Sequence, residues 1–117
     1  MYQLSWNKCQ GDVWCNLLNV NLGHQHFNNM AGVYVIWHAG PKPTTVRIGN
    51  GIIRDRLGAH RQDAAVLRYK DYGLLVTWAS VPAPMREGVE RFLSERLNPM
   101  VGERFPEAAP VEVNLPW

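Results

Sequence analysis

Gly32-Val33-Tyr34-Val35-Ile36-Trp37 is a run of β-branched and aromatic residues, the composition of a strand buried in a sheet. Next to it, His38-Ala39-Gly40-Pro41-Lys42-Pro43 is turn chemistry, and Thr44-Thr45-Val46-Arg47-Ile48 is a second β-type run. The two read as an antiparallel hairpin around a Pro/Gly loop. Gly49-Asn50-Gly51 then has two readings: a hairpin turn, since Asn-Gly favours type I′ geometry, or a helix start with Asn50 as N-cap. The residues beyond it decide. Ile53, Leu57, His60 and Ala64 fall on one helical face while Arg54, Asp55, Gly58 and Gln62 fall elsewhere, which predicts a helix over about 52–63.

Outward from this core, Val13 to Leu22 places Leu18, Val20 and Leu22 on one face and reads as an earlier strand, followed by a polar loop from Gly23 to Asn29. Leu74 to Val81 is a further strand, closed by Pro82 and Pro84. A second helix is expected from about Met85 to Asn98, with Met85, Val89, Phe92, Leu93 and Leu97 as its apolar stripe and Pro99 as its terminator. The remainder, 103–117, is a proline-rich tail with a short β-like stretch from Val111 to Leu115. The order β-β-β-α-β-α describes an α/β domain, a small mixed or antiparallel sheet flanked by helices.

The chain has 117 residues, room for a single domain spanning 1–117. With 46% hydrophobic and 19% charged residues it has the balance of an ordinary globular protein, not a disordered one. No apolar run approaches the ~20 residues of a membrane span. The opening MYQLSWNKCQ lacks the charged head and apolar run of a signal peptide, so a cytoplasmic location is expected. Cys9 and Cys15 allow one disulfide, although that compartment favours free thiols. Cys9, Cys15, His24 and His26 together offer two thiols and two imidazoles, but Cys-x₅-Cys and His-x-His are not structural zinc spacings, and zinc is not expected.

The net charge of +2 by itself points to no partner. Its distribution is more informative. Lys42, Arg47, Arg54, Arg56, Arg61, Arg68 and Lys70 stand against only Asp55 and Asp63 in one segment, while glutamates outnumber arginines from Arg86 onward. A basic segment in a near-neutral chain points toward phosphate, and equally describes a solvated helix face.

Four side chains are unusual for a core. Tyr34 stands in mid-strand and needs a partner for its hydroxyl. Arg56 and His60, four residues apart, share one helix face. Glu90 sits at the edge of the second helix's apolar stripe, about 100° from Val89. These positions allow a phenol, a guanidinium, an imidazole and a carboxylate to meet on one side of the sheet. Each also has a plain structural reading: Tyr34 and His60 as satisfied core residues, Glu90 as a surface partner of Arg86 or Arg91, and Arg56 as the salt-bridge partner of Glu90.

Gly32-Val33-Tyr34, a spacer, then Arg47-Ile48-Gly49 resembles the two-strand signature of the GIY-YIG nuclease family. Arg56-Leu57-x-x-His60 is similar to that family's Arg-x-x-x-His helix. Glu90, shortly before Leu97-Asn98-Pro99, resembles its glutamate-bearing helix. The likeness covers about 32–102, leaving 1–31 as an N-terminal strand extension. It implies a metal-dependent endonuclease that hydrolyses DNA phosphodiester bonds, and its chemistry does not separate DNA from RNA. Glu90 would hold one Mg²⁺ or Mn²⁺. Arg56 would stabilise charge on the phosphoryl oxygens, a contact worth about 10²–10³ in rate. Tyr34 would position or deprotonate the attacking water, and His60 would orient that water or relay a proton. Arg47, Arg54 and Arg61, with the Asn50-Gly51 helix start, would contact the nucleic-acid backbone.

Three positions depart from the family pattern. Arg47 replaces the second tyrosine, the spacer Val35 to Val46 holds twelve residues, and Gly102 stands where the family has an asparagine. An arginine keeps a donor for phosphate but cannot act as a base. The alternative is therefore a catalytically weak or inactive module that binds nucleic acid or protein through the same face. No separate DNA-reading domain is present in the sequence, so specificity would come from this domain or from a partner protein. A monomer is expected.

Overall fold

In the computed structural model the hairpin forms as β2 (Ala31–His38) and β3 (Thr44–Ile52), with β2 in the centre of a four-stranded antiparallel sheet of order β1-β4-β2-β3. Here β1 is Cys15–Asn16 and β4 is Leu74–Ser80. Residues 1–102 and 106–117 are described. The central position of β2 explains its composition: Gly32 through His38 are all buried, covered on both faces. Gly32 is the tightest point of the strand, since a Cβ there would sit 1.9 Å from the Ala79 carbonyl oxygen. β3 is an edge strand, with a register shift opposite Ile36 and Trp37 that leaves Val46 out of the pairing.

The alternation of β2 feeds two cores. Tyr34 and Ile36 face one cluster with Trp78, Ile53, Leu57 and Val66. Val33, Val35 and Trp37 face a second with Val89, Phe92, Leu93 and Val113. The first is covered by α1 (Ile53–His60), α2 (Ala64–Leu67) and the N-terminal segment, and the second by α3 (Arg86–Leu97) and the C-terminal segment. The result is an α/β fold with the sheet between two helical layers.

Several expectations change. The strand expected over Val13 to Leu22 shrinks to two residues, because the Asn16 side chain accepts from Leu18 N (2.9 Å) and the Asn16 carbonyl from Val20 N (2.9 Å). That local turn ends the ladder, burying Leu17 and exposing Leu18. Asn50 and Gly51 do not start a helix: they continue β3, paired with Val33 and Gly32. The residue before α1 is Ile52, with no side-chain cap, and Ile53 N bonds to the Met30 carbonyl at 3.1 Å. α1 ends at His60, and Asp63 then caps α2 through Ala65 N (3.0 Å). α3 follows a 3₁₀ turn at Ala83–Met85. It closes on Asn98 in the left-handed conformation (φ 48°), one residue before Pro99.

Cys9 and Cys15 form a disulfide, where free thiols were expected. The tail expected over 103–117 begins on residues outside the described ones. Its later part is anchored to the N-terminal segment: Val113 bridges Tyr2 in parallel, Asn114 exchanges hydrogen bonds with the backbone of Leu4, and Trp6 Nε1 donates to the Asn114 carbonyl (3.0 Å). No helix among the described residues is long and apolar enough to cross a membrane.

Candidate functional site

Edge strand β3 has a buried pair of ionisable groups on one side and a half-buried one on the other. Tyr34 points toward α1 and lies opposite Gly49. A Cβ on Gly49 would stand 2.2 Å from the Tyr34 hydroxyl, so the glycine makes room for the phenol to lie against the edge strand. The hydroxyl meets His60 Nε2 at 2.6 Å, and both residues are buried, at 0% and 4% exposed.

The protonation of this pair follows from its surroundings. Burial, reinforced by the guanidiniums of Arg47 and Arg56, lowers His60 from 6.5 to about 4. Burial pushes the Tyr34 phenol above its usual 10, with Arg56 and Arg47 pulling the other way. At neutral pH both groups are uncharged. A neutral phenol donates, so Nε2 accepts and the imidazole proton is assigned to Nδ1. Nδ1 has no hydrogen-bond partner among the described residues, and the nearest carboxylate oxygen, Asp63 Oδ2, is 3.7 Å away, an ion-pair distance beyond hydrogen-bond reach. The arrangement is a phenol with a built-in proton acceptor behind it.

Glu90 lies on the other side of β3, on α3 and half-buried. Its Oε1 accepts from Asn50 Nδ2 at 2.8 Å, which is the use the fold makes of Asn50 in place of a helix cap. Burial raises the Glu90 carboxyl, opposed by the Asn50 bond and by the charges of Arg47 and Arg56. Glu90 does not pair with its neighbours on α3: Arg86 Nε donates to the Val81 carbonyl (2.7 Å), and Arg91 Nε to Glu95 (2.6 Å). It forms no ion pair with Arg47 or Arg56 either.

Arg47 and Arg56 link the two sides, since both guanidiniums bias Tyr34, His60 and Glu90 alike. Arg47 is half-buried, and its Nε has no partner among the described residues. Its Nη1 would be 3.0 Å from a Cβ on Gly102. Arg47, Glu90, Ser94, Val101 and Gly102 line a cleft of about 20 Å³, the size of one water or ion. Arg56 is exposed, its stem running past Gly51, whose φ is +133°.

Of the four expected catalytic residues, Tyr34 and His60 are in contact with each other and Glu90 is held by Asn50, while Arg56, with Arg47, is a cation that acts on all three. Arg54 and Arg61 are placed elsewhere. Arg54 bonds the Leu22 carbonyl (2.7 Å) and Asn28 Oδ1 (2.8 Å), and Arg61 bonds the carbonyls of Leu17 (2.7 Å) and Val20. Both guanidiniums hold the N-terminal segment against α1. Gly51 is a strand residue, so the backbone donors expected from a helix start at Asn50-Gly51 are absent there. Two features of the site were missed from sequence: the support of Glu90 by Asn50, and Asp63 beside His60. The second had a signal in its i, i+3 spacing; the first had none.

Searches against protein-family models, curated proteins and solved structures return no match.

Proposed function

We propose that this chain is a metal-dependent endonuclease of the GIY-YIG type that hydrolyses DNA phosphodiester bonds. The observation that carries this reading is the gathering of a neutral phenol–imidazole pair, a desolvated carboxylate and two cations around β3. These are a proton acceptor, an anionic ligand and a phosphate clamp, the three parts a phosphodiesterase needs.

Arg47 and Arg56 bind the scissile phosphate and stabilise the charge that grows on its non-bridging oxygens. Tyr34 orients the attacking water. Any proton it takes is balanced by one it passes to His60 Nε2, which is free to accept because the ring is neutral at working pH. Asn50 fixes the rotamer of Glu90. The residues fit one divalent ion at Glu90: the carboxylate is destabilised by burial, has no ion pair among the described residues, and borders a cleft of ion size. Among the described residues no cluster of three His, Cys, Asp or Glu groups exists, so water and phosphate oxygens would complete the shell, as Mg²⁺ commonly requires. Such an ion supplies charge stabilisation at the phosphate and its leaving oxygen.

The test is incubation with supercoiled plasmid and with flapped or branched DNA, in Mg²⁺ and in Mn²⁺, beside Glu90→Ala. Metal-dependent cutting that vanishes in the variant, with DNA affinity retained, supports the proposal. Binding without turnover in either metal supports the second reading, a nucleic-acid-binding module on the same fold. Two observations favour that second reading: Arg47 stands at the second motif position, and the Tyr34 hydroxyl is fully covered.

A further inference from the structure

A second cleft opens on the same face of the sheet as Glu90. Trp37 forms its floor, and Trp14, Trp117, Leu97, Thr45 and Lys42 stand around it, enclosing about 530 Å³, the volume of a small-ligand site. The three indoles do not stack face to face. Trp14 meets Trp37 edge-on (5.2 Å, 86°), and Trp117 is tilted 47° to Trp37 at 4.6 Å. Trp37 is buried beneath the other two, and Trp117, 56% exposed, presents the accessible ring. Lys42 has the one charged side chain among the described lining residues. A second ammonium, Lys8 Nζ, lies 4.5 Å from the Trp14 ring centroid.

Two elements run from this cleft into the reaction site. Thr45 and Arg47 flank the unpaired Val46 on β3 and lie opposite the adjacent β2 residues Trp37 and Ile36. Leu97 and Glu90 are seven apart on α3, roughly 10 Å at helical rise. A nucleic-acid strand with a phosphate at Arg47 would reach the indoles within about three stacked nucleotides, at ~3.4 Å each.

We infer that the Trp14–Trp37–Trp117 cleft stacks an unpaired base of the substrate strand beside the scissile phosphate, making the substrate a nucleic acid with a single-stranded segment. The inference rests on the nuclease reading above and adds the substrate class. A nucleobase fits because it has an aromatic face for the indoles and polar edges for Thr45. It also brings a phosphate for Lys42, and stacking of this kind tolerates any base. The interior of a duplex does not fit, because its paired and stacked bases leave no free face to enter a cleft.

The experiment compares binding of oligothymidylate with an all-abasic oligonucleotide of equal length, without metal, by fluorescence anisotropy and by quenching of tryptophan emission. The wild-type protein and the exposed-site variants Trp117→Ala and Trp117→Phe are used, with folding checked by circular dichroism. The expected result is about tenfold tighter binding of the base-bearing oligomer with quenched emission. Trp117→Ala should lose that preference and Trp117→Phe should recover part of it. Equal affinity for the two oligomers overturns the cleft assignment but leaves phosphate binding, and with it the nuclease reading, standing. No binding to either oligomer also overturns the cleft assignment, and the nuclease reading is then decided by the cleavage of plasmid and flapped DNA described above.

Discussion

Tyr34 and His60 form a buried hydrogen-bonded pair, and their burial has consequences for pH. His60 holds a proton below 6.5 in the unfolded chain but only below about 4 in the folded one. Between those values the unfolded state binds more protons, so stability is full above pH 6.5 and falls as the pH drops toward 4. The loss between pH 7 and 4.5 is about 2 kcal/mol. Urea unfolding at both pH values should show it, and His60→Gln should remove that part of the difference. Gly49 sits under the same hydroxyl. Gly49→Ala places a methyl 2.2 Å from the Tyr34 oxygen, so the phenol must leave His60. A destabilisation of about 1–3 kcal/mol is expected, with loss of the Tyr34–His60 hydrogen-bonded proton signal by NMR.

At the scale of elements, the arginines divide by what they hold. Arg54 and Arg61 are bound to carbonyls of the N-terminal segment, whereas Arg47 and Arg56 act on the site. Arg61→Ala should lower stability by about 1–3 kcal/mol and leave the salt dependence of DNA binding unchanged. Arg56→Ala should change stability little and reduce that salt slope by about one. Urea titration and binding at several salt concentrations separate the two. This division was hidden in the sequence, where all four are basic residues in one segment; only tertiary contacts with the 17–28 region distinguish them. The strands β2 and β3 were legible as β-branched runs, β4 as an apolar run closed by Pro82 and Pro84, and α3 because its stripe Val89, Phe92 and Leu93 is in fact buried. β1 was overread, since alternation over Leu18, Val20 and Leu22 concealed the turn made by the Asn16 side chain. The Asn50-Gly51 helix start was overread for a related reason. Capping residues also serve in strands, and here the Asn50 amide is claimed by Glu90, forty positions away. Tyr34, His60 and Glu90 were legible as chemically odd residues; that the first two touch was not, since nothing local encodes a contact across 26 positions.

For the whole molecule, the two chain ends form one layer, joined by Tyr2–Val113 and by the Leu4–Asn114 exchange. The disulfide closes the small loop that delivers β1 to β4. Reduction, or Cys9→Ser, should lower stability by about 2 kcal/mol on chain-entropy grounds, read as a fall in unfolding temperature when reductant is added. The site is far from that loop in sequence, built where the edge strand, α1 and α3 come together, so activity should survive reduction below the unfolding temperature. The central claim is that these groups cut phosphodiester bonds. It is tested most directly by the single-turnover rate on 5′-labelled flapped DNA in Mg²⁺, for the wild-type protein and Glu90→Gln, with DNA affinity measured on both. The account expects metal-dependent cleavage by the wild type and a rate at least about 10²-fold lower in a variant that still binds. Equal rates in the two proteins, or no cleavage by a wild-type protein that binds the DNA, would contradict it.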